Sequence, residues 1–378
     1  MALPRRHVAL LVHAGRCFSA SAVPRPAFVH EVRHLALLRR FSDIESLLEP
    51  LKDSKDASSE PFLASVAAAY ASAGMVAQAL RTLEDLPRLG SPLTALSLNA
   101  LLSALNHSPR RLGHRSLVPE LFSDVPLKFS IAPDAVSYGI LVKYHCLAGE
   151  SKKAFTIIKE MEEKNIEVTS VIYTTILDSL YKDSKPEDAE MIWKEMGTKG
   201  VKPDLPAYNV RVMHKALCGE PNEVLDLIAE MESAGLEPDI ITYNYLISCY
   251  CKHRKTKDAK KVYHGLEEKG CVPNSVTFMN LLSALSKNRD FVGCMKVLAD
   301  CMKHSNIPDL GSIKLLVKEL VKASRPRDAR RVITRLEKKF PGDFVGDWKK
   351  LEKLVRSKDG KKSDQKIDAP HMEDRNGN

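Results

Sequence analysis

The stretch IITYNYLISCYCKHRKTKDAKKVYHGLEEKGCVPN, residues 240–274, decides the fold. Tyr243, Leu246, Ile247 and Tyr250 recur at steps of three and four, which lays one apolar stripe along a helix. Lys252-His253-Arg254 then puts cations where the end of that helix is negative. Lys257-Asp258 opens a second helix with Ala259, Val262, Tyr263 and Leu266 on one face. Gly270 supplies the left-handed backbone that ends it, and Pro273, which cannot continue a helix, turns the chain onward. A helix pair this short cannot bury its own apolar faces, so it needs neighbours to stack on.

The neighbours are in the sequence. Tyr138, Tyr173, Tyr208, Tyr243 and Phe278 follow one another at a spacing of 35 residues. Pro203, Pro238, Pro273 and Pro308 keep that step, with Pro133 two periods before Pro203. Met161, Met196, Met231 and Leu266 keep it as well, and so do Ala154, Ala189, Val224, Ala259, Cys294 and Ala329. Extending the phase outward, residues 310–344 and 60–94 fit, residues 25–59 fit through Ile44, Leu48 and Leu51, and the unit 95–134 carries five surplus residues around Asn106–Arg115. The expected fold is all-α: a solenoid of about nine 35-residue helix pairs with one continuous core. Its expected divisions are degenerate repeats over 25–134, five clear units over 135–309, a degenerate repeat and capping helix over 310–357, and a disordered tail over 358–378, where Lys, Asp, Gly and Asn lose all periodicity.

Residues 1–30 read as an address. They hold Arg5, Arg6, Arg16 and Arg25 and no acid, and Leu3, Val8, Leu10, Leu11 and Val12 alternate with the cations. Arg16-Cys17-Phe18-Ser19 resembles a mitochondrial processing site, so residues 1–24 are expected to be a presequence and the compartment the mitochondrial matrix. The chain's net charge is +9, and cleavage after Phe18 removes three arginines to leave +6. A modest basic excess suits a polyanion without demanding one. No apolar run nears the ~20 residues that span a bilayer. The eight cysteines show no C-x-x-C pair and read as reduced thiols rather than staples or zinc ligands.

The segments Ile241-Thr242-Tyr243-Asn244-Tyr245-Leu246-Ile247, Tyr250-Cys251-Lys252 and Gly235-Leu236-Glu237-Pro238-Asp239 resemble the pentatricopeptide repeat, over roughly residues 60–344. The chain looks like the short mitochondrial members of that family with pure 35-residue repeats. The resemblance implies a right-handed superhelix that binds single-stranded organellar RNA, about one base per repeat. It implies that the fifth and last residues of each unit select the base: Asn99 with Asp134, Gly139 with Thr169, Thr174 with Asp204, Asn209 with Asp239, Asn244 with Asn274, and Met279 with Asp309. An Asn amide carries both donor and acceptor and can match a pyrimidine edge, and Asp can fix its partner's orientation. By the family's habits the expected target is 5′-U-x-G-U-Y-3′. Gly139 and Met279 depart from the usual pairs.

Two further registers support binding by the same resemblance. Val136, Val171, Ile241 and Val276 hold the second position, where apolar side chains wedge between bases, while Pro206 departs from it. Lys182, Lys252, Lys287 and Lys322 share a register near the end of the first helix, from which they could meet phosphates. Plainer readings stay open beside these: packing for the valines, a solvated helix end for the lysines, and helix capping for the Asn and Asp residues.

No catalytic pattern stands out. The zinc-deaminase constellation, the Gly-rich phosphate loop and the H-E-x-x-H helix are all missing, and the adjacent pair His145-Cys146 faces two ways on one helix. No enzyme activity, metal, cofactor or small-molecule substrate is expected. The expected function is RNA binding in organellar transcript stabilisation, processing, splicing or translation. The alternative is an accessory part of the mitochondrial ribosome that binds rRNA and proteins. A peptide-binding scaffold of the tetratricopeptide type fits the 35-residue step and the Pro-Asp junctions less well.

Overall fold

The structure is a computed structural model, and it describes residues 28–53, 59–108, 114–304, 306–340 and 345–363. The presequence expected over 1–24 lies outside them. Every regular element among the described residues is a helix. In chain order the pairs are α1 Phe28–Leu37 and α2 Phe41–Leu48, α3 Glu60–Ser72 and α4 Val76–Arg88, α5 Ala95–Asn106 and α6 Val118–Phe129, α7 Ala135–Leu147 and α8 Ser151–Glu163, and α9 Ser170–Lys182 and α10 Pro186–Thr198. There follow α11 Leu205–Cys218 and α12 Pro221–Ser233, α13 Ile240–Lys252 and α14 Thr256–His264, α15 Ser275–Lys287 and α16 Phe291–Lys303, α17 Leu310–Lys322 and α18 Pro326–Lys339, and the single helix α19 Val345–Ser363. The surplus of the long unit sits between Asn106 and Val118, where the chain turns through a short 3-10 segment, His114–Leu117.

The chain divides into two units, Met1–Val210 and Arg211–Asn378. In the first, α3, α5, α7 and α9 pack in series, each also carrying its own second helix. Tyr70, Tyr138 and Tyr173 are fully buried there beside Leu83, Leu98 and Ile192. In the second, α13, α15, α17 and α19 form the equivalent series, and Phe278, Ala259, Cys294 and Ala329 are fully buried. The aromatic and small-residue registers that repeat at a spacing of 35 are thus part of the core. The small side chain at the Ala154, Ala189 and Ala259 register has no exposure at all, as close approach of two helices requires. Gly270 lies at φ +68°, the left-handed region that closes the pair 240–274.

Helix α19 ends the second unit. Trp348, Leu351 and Val355 are buried against α17 and α18, so this helix covers the last apolar face. It continues to Ser363, past Lys358, where the sequence places the start of a disordered tail. Residues 364–378 lie outside the described residues.

Candidate nucleic-acid interface

The last residue of each unit is the N-cap of the next unit's first helix. The Asp134 carboxylate accepts from the Ser137 amide at 2.8 Å, Asp204 from the Ala207 amide at 3.0 Å, Asp239 from the Thr242 amide at 2.9 Å, and Asp309 from the Ser312 amide at 2.8 Å. Asn274 accepts from the amides of Val276 at 3.0 Å and Thr277 at 3.2 Å. Thr169 holds the same place without a side-chain cap bond. Capping is therefore a real role of these residues, and it fixes their side chains at the mouth of each first helix.

In two units the fifth residue reaches that cap. Asn99 Nδ2 donates to Asp134 Oδ1 at 3.0 Å, although the intervening unit is the long one. Asn244 Nδ2 donates to Asn274 Oδ1 at 3.1 Å. A third residue completes each group: the hydroxyl of Ser137 donates to Asn99 Oδ1 at 2.6 Å, and that of Thr277 donates to Asn244 Oδ1 at 2.7 Å. Each amide is thus held at both ends, leaving one N–H and one lone pair uncommitted. The Asn99 group is the more open, while Asn244 is buried.

At Gly139, Thr174 and Met279 the groups differ, through the fifth residue, the third or both. Opposite Gly139 stands Ile172, with no hydroxyl to offer, and a Cβ at Gly139 would meet Ile172 Cγ1 at 3.8 Å. Thr174 lies in register with Ala207, and its buried hydroxyl has no hydrogen-bond partner, while Asp204 takes its second bond from Ser170 Oγ at 2.7 Å. Met279 presents only its carbonyl to the Ser312 hydroxyl, at 3.5 Å. The sequence reading passed over this third position, although Ser137, Ile172, Ala207, Thr242, Thr277 and Ser312 keep the same step of 35.

At the second position Val136 is 59 % exposed and Val171 is 44 % exposed, too much for core residues. Leu96, in the same register and also passed over, is 41 % exposed. Ile241, Val276 and Pro206 are half-buried. The lysine register is less uniform. Lys182 pairs with Asp178, and Lys322 with Glu319 at 2.7 Å. Lys252 donates to the Leu217 carbonyl and so caps the end of α11, whereas Lys287 makes no ion pair among the described residues. A further cation lies on α7: Lys143, 3.5 Å from His107, where burial first and then Lys182 and Arg115 pull its ammonium below the usual lysine range.

Burial pushes the Asp134 carboxyl up, but the bonds from the Ser137 amide, the Asn99 side chain, the Ser137 hydroxyl and the Val136 amide outweigh it and hold the group below the usual carboxylate range. A folded pKa below the unfolded one gives stability that is complete above about pH 4 and is lost as pH falls through the folded value. Asp134→Asn keeps a capping oxygen, as Asn274 shows in the same role. The wild-type thermal midpoint should therefore fall more than the variant's between about pH 5 and about pH 3, measured by circular dichroism. Equal falls would remove Asp134 from the account.

Among the described residues no group of His, Cys, Asp and Glu could hold a metal ion, and no helix is long and apolar enough to cross a membrane. The His145 ring nitrogen Nδ1 lies 2.8 Å from Glu150 Oε2, and burial pushes the Cys146 thiol up to about 11, which makes it a poor nucleophile.

The sequence pattern described as the PPR repeat family matches residues 168–218 and 238–287, and that described as the PPR repeat matches 136–166. The chain is 42 % identical over 322 residues to the small ribosomal subunit protein mL103 (rPPR7) of Arabidopsis thaliana, covering 85 % of this chain and 77 % of that protein. It is also 42 % identical over 325 residues to the mitochondrial pentatricopeptide repeat-containing protein At2g18520 of Arabidopsis thaliana, covering 86 % of this chain and 76 % of that one. The crystal structure of the pentatricopeptide repeat protein PPR10 from maize superposes with a TM-score of 0.49 at 21 % identity, covering 83 % of this chain and 47 % of that one.

Proposed function

The chain belongs to the pentatricopeptide repeat family, and from that premise we propose that it binds single-stranded mitochondrial RNA through a row of unit-junction side chains, about one base per repeat, in post-transcriptional gene expression. The observation that carries this reading is the pair of held amides, Asn99 on Asp134 and Asn244 on Asn274, each oriented by a hydroxyl and each keeping a donor and an acceptor to offer. Exposed Leu96, Val136 and Val171 flank the row as wedges between bases. Lys287 and Lys143 supply cations for phosphates, and Lys182, Lys252 and Lys322 join them by exchanging their present partners. The work is binding without chemistry: the thiols of Cys146 and Cys251 are pushed by burial to about 11 and about 12. The compartment is the mitochondrion, as for the similar protein At2g18520.

A second reading has its own support. One of the two relatives at 42 % identity is named a small ribosomal subunit protein, and on this second reading the chain is a mitochondrial ribosome component bound to rRNA and proteins. Two measurements separate the readings. The full chain should bind U-x-G-U-Y oligonucleotides with an affinity that falls as salt rises, and Asn209→Ser should lose the preference for uracil at one position. Identical base preferences in wild type and variant would remove the reading of bases. Co-sedimentation of the native protein with ribosomal particles, without binding to short RNA, would establish the second reading in its place.

A further inference from the structure

The basic excess of the chain is concentrated at one end. Residues 310–363 hold 17 Lys and Arg against 7 Asp and Glu, a net +10, where the whole chain carries +9. The rows of Asn and Asp described above therefore belong to a stretch of chain with no positive excess.

Within that segment α18 is the focus. Its inward face, Ala329, Val332, Ile333 and Leu336, is 0–1 % exposed. Its outward face carries Arg327, Arg331, Arg335 and Lys338, at steps of four, four and three, with Lys339 beside them. All five are exposed and none makes an ion pair among the described residues. Asp328, the acid of the first turn, is already taken by Arg325 at 2.6 Å. At a rise of about 1.5 Å per residue the stripe runs about 16 Å. Lys349 and Lys353, exposed on α19, which packs on α18, extend the basic area.

Lys338 and Lys339 suit the negative C-terminal end of this helix, but the rest of the stripe does not help the helix that bears it. Like charges at i and i+4 destabilise a helix, and Arg327 in the first turn opposes the helix dipole. The core contact is complete on the opposite face. We propose that the outward face of α18, with Lys349 and Lys353 beside it, docks on the phosphate backbone of a base-paired RNA segment. Guanidinium forks match phosphate oxygens, and an evenly spaced row on a rigid helix suits a regular backbone. The stripe has no aromatic or amide side chain on which unpaired bases could stack or pair, which separates it from a single-strand groove. It has no apolar residue to insert into a membrane surface, since the apolar residues of α18 are all in the core. This surface is distinct from the base-selecting row and stands or falls apart from it.

The test uses the full chain and the triple variant Arg331→Gln, Arg335→Gln, Lys338→Gln, whose substituted residues are all exposed. Binding is measured across a salt series to a fully paired RNA hairpin, to an unpaired U-x-G-U-Y oligomer, to vesicles of anionic lipid and to polyglutamate. The expected result is an affinity for the hairpin lower by about tenfold or more, a log-affinity salt slope shallower by about 2 to 3, and oligomer binding unchanged within about twofold. The proposal is overturned if wild type does not bind the hairpin, if the variant binds it equally, or if both RNAs lose affinity together. Substitution-sensitive binding that is stronger to vesicles or polyglutamate than to the hairpin overturns it as well. Failure of base reading would show separately, in the oligomer assay with Asn209→Ser.

Discussion

Phe278→Ala should cost about 3–5 kcal/mol of local stability, the range for a fully buried phenylalanine whose cavity cannot collapse. The side chain has no exposure, and its ring lies 6.3 Å from that of Tyr263 and 6.2 Å from that of His304. It therefore joins three helical elements: its own α15, α14 before it, and the end of α16. In a solenoid each repeat touches only its neighbours, so the loss has nowhere to spread except along the stack. Hydrogen exchange should show the amides of α13 to α17 exchanging markedly faster, while those of α3 and α4, in the other unit, keep their protection. Uniform loss across the chain would mean that the array unfolds as one body, and no local change would mean that the aromatic register does not hold the stack.

That register was legible in the sequence because core packing repeats with the chain. A residue that must fit between the same two helices in every unit returns at every period, and Tyr138, Tyr173 and Phe278 do so without exposure. The first- and second-helix assignments of 240–274 followed from the same stripe. The site was legible only in part. Asn99, Asn244 and their caps are recognisable by resemblance, but the hydroxyl that orients each amide is contributed by the following unit. Ser137 and Thr277 look in the sequence like ordinary first-turn residues that complete a capping box, which they also are. Only the fold shows the second bond, back to the preceding unit. The lysine register shows the opposite limit. Spacing puts Lys182, Lys252 and Lys322 in line, yet spacing says nothing of the nearest acceptor, and all three have one. The stripe on α18 escaped the periodic reading because it belongs to a single helix.

Thr277→Val should relax base discrimination in its unit by about tenfold, the effect of one lost net hydrogen bond in a desolvated place. Thr277 is fully buried, and valine matches its shape, so the substitution removes a hydroxyl rather than volume. Three bonds change at once. Asn244 Oδ1 loses its donor at 2.7 Å, Asn274 Oδ1 loses the same hydroxyl at 3.3 Å, and the Asn274 amide loses an acceptor at 3.1 Å, while the Thr277 amide keeps its own bond to Asn274 Oδ1 at 3.2 Å. The helix thus stays capped while Asn244 can turn over and offer either of its edges. Overall affinity should fall little and its salt dependence should not change, because phosphate contacts are untouched. Thr277→Ser keeps the hydroxyl, as Ser137 does at 2.6 Å from Asn99, and should keep discrimination. The chain contains its own comparison: with Ile172 in this register and Gly139 opposite, varying the RNA base met by residues 135–169 should change affinity less than about twofold. Binding to a set of oligomers varied one base at a time reads all of these together. Full discrimination in Thr277→Val, or its loss in Thr277→Ser, would mean that the hydroxyl caps the helix and does no more.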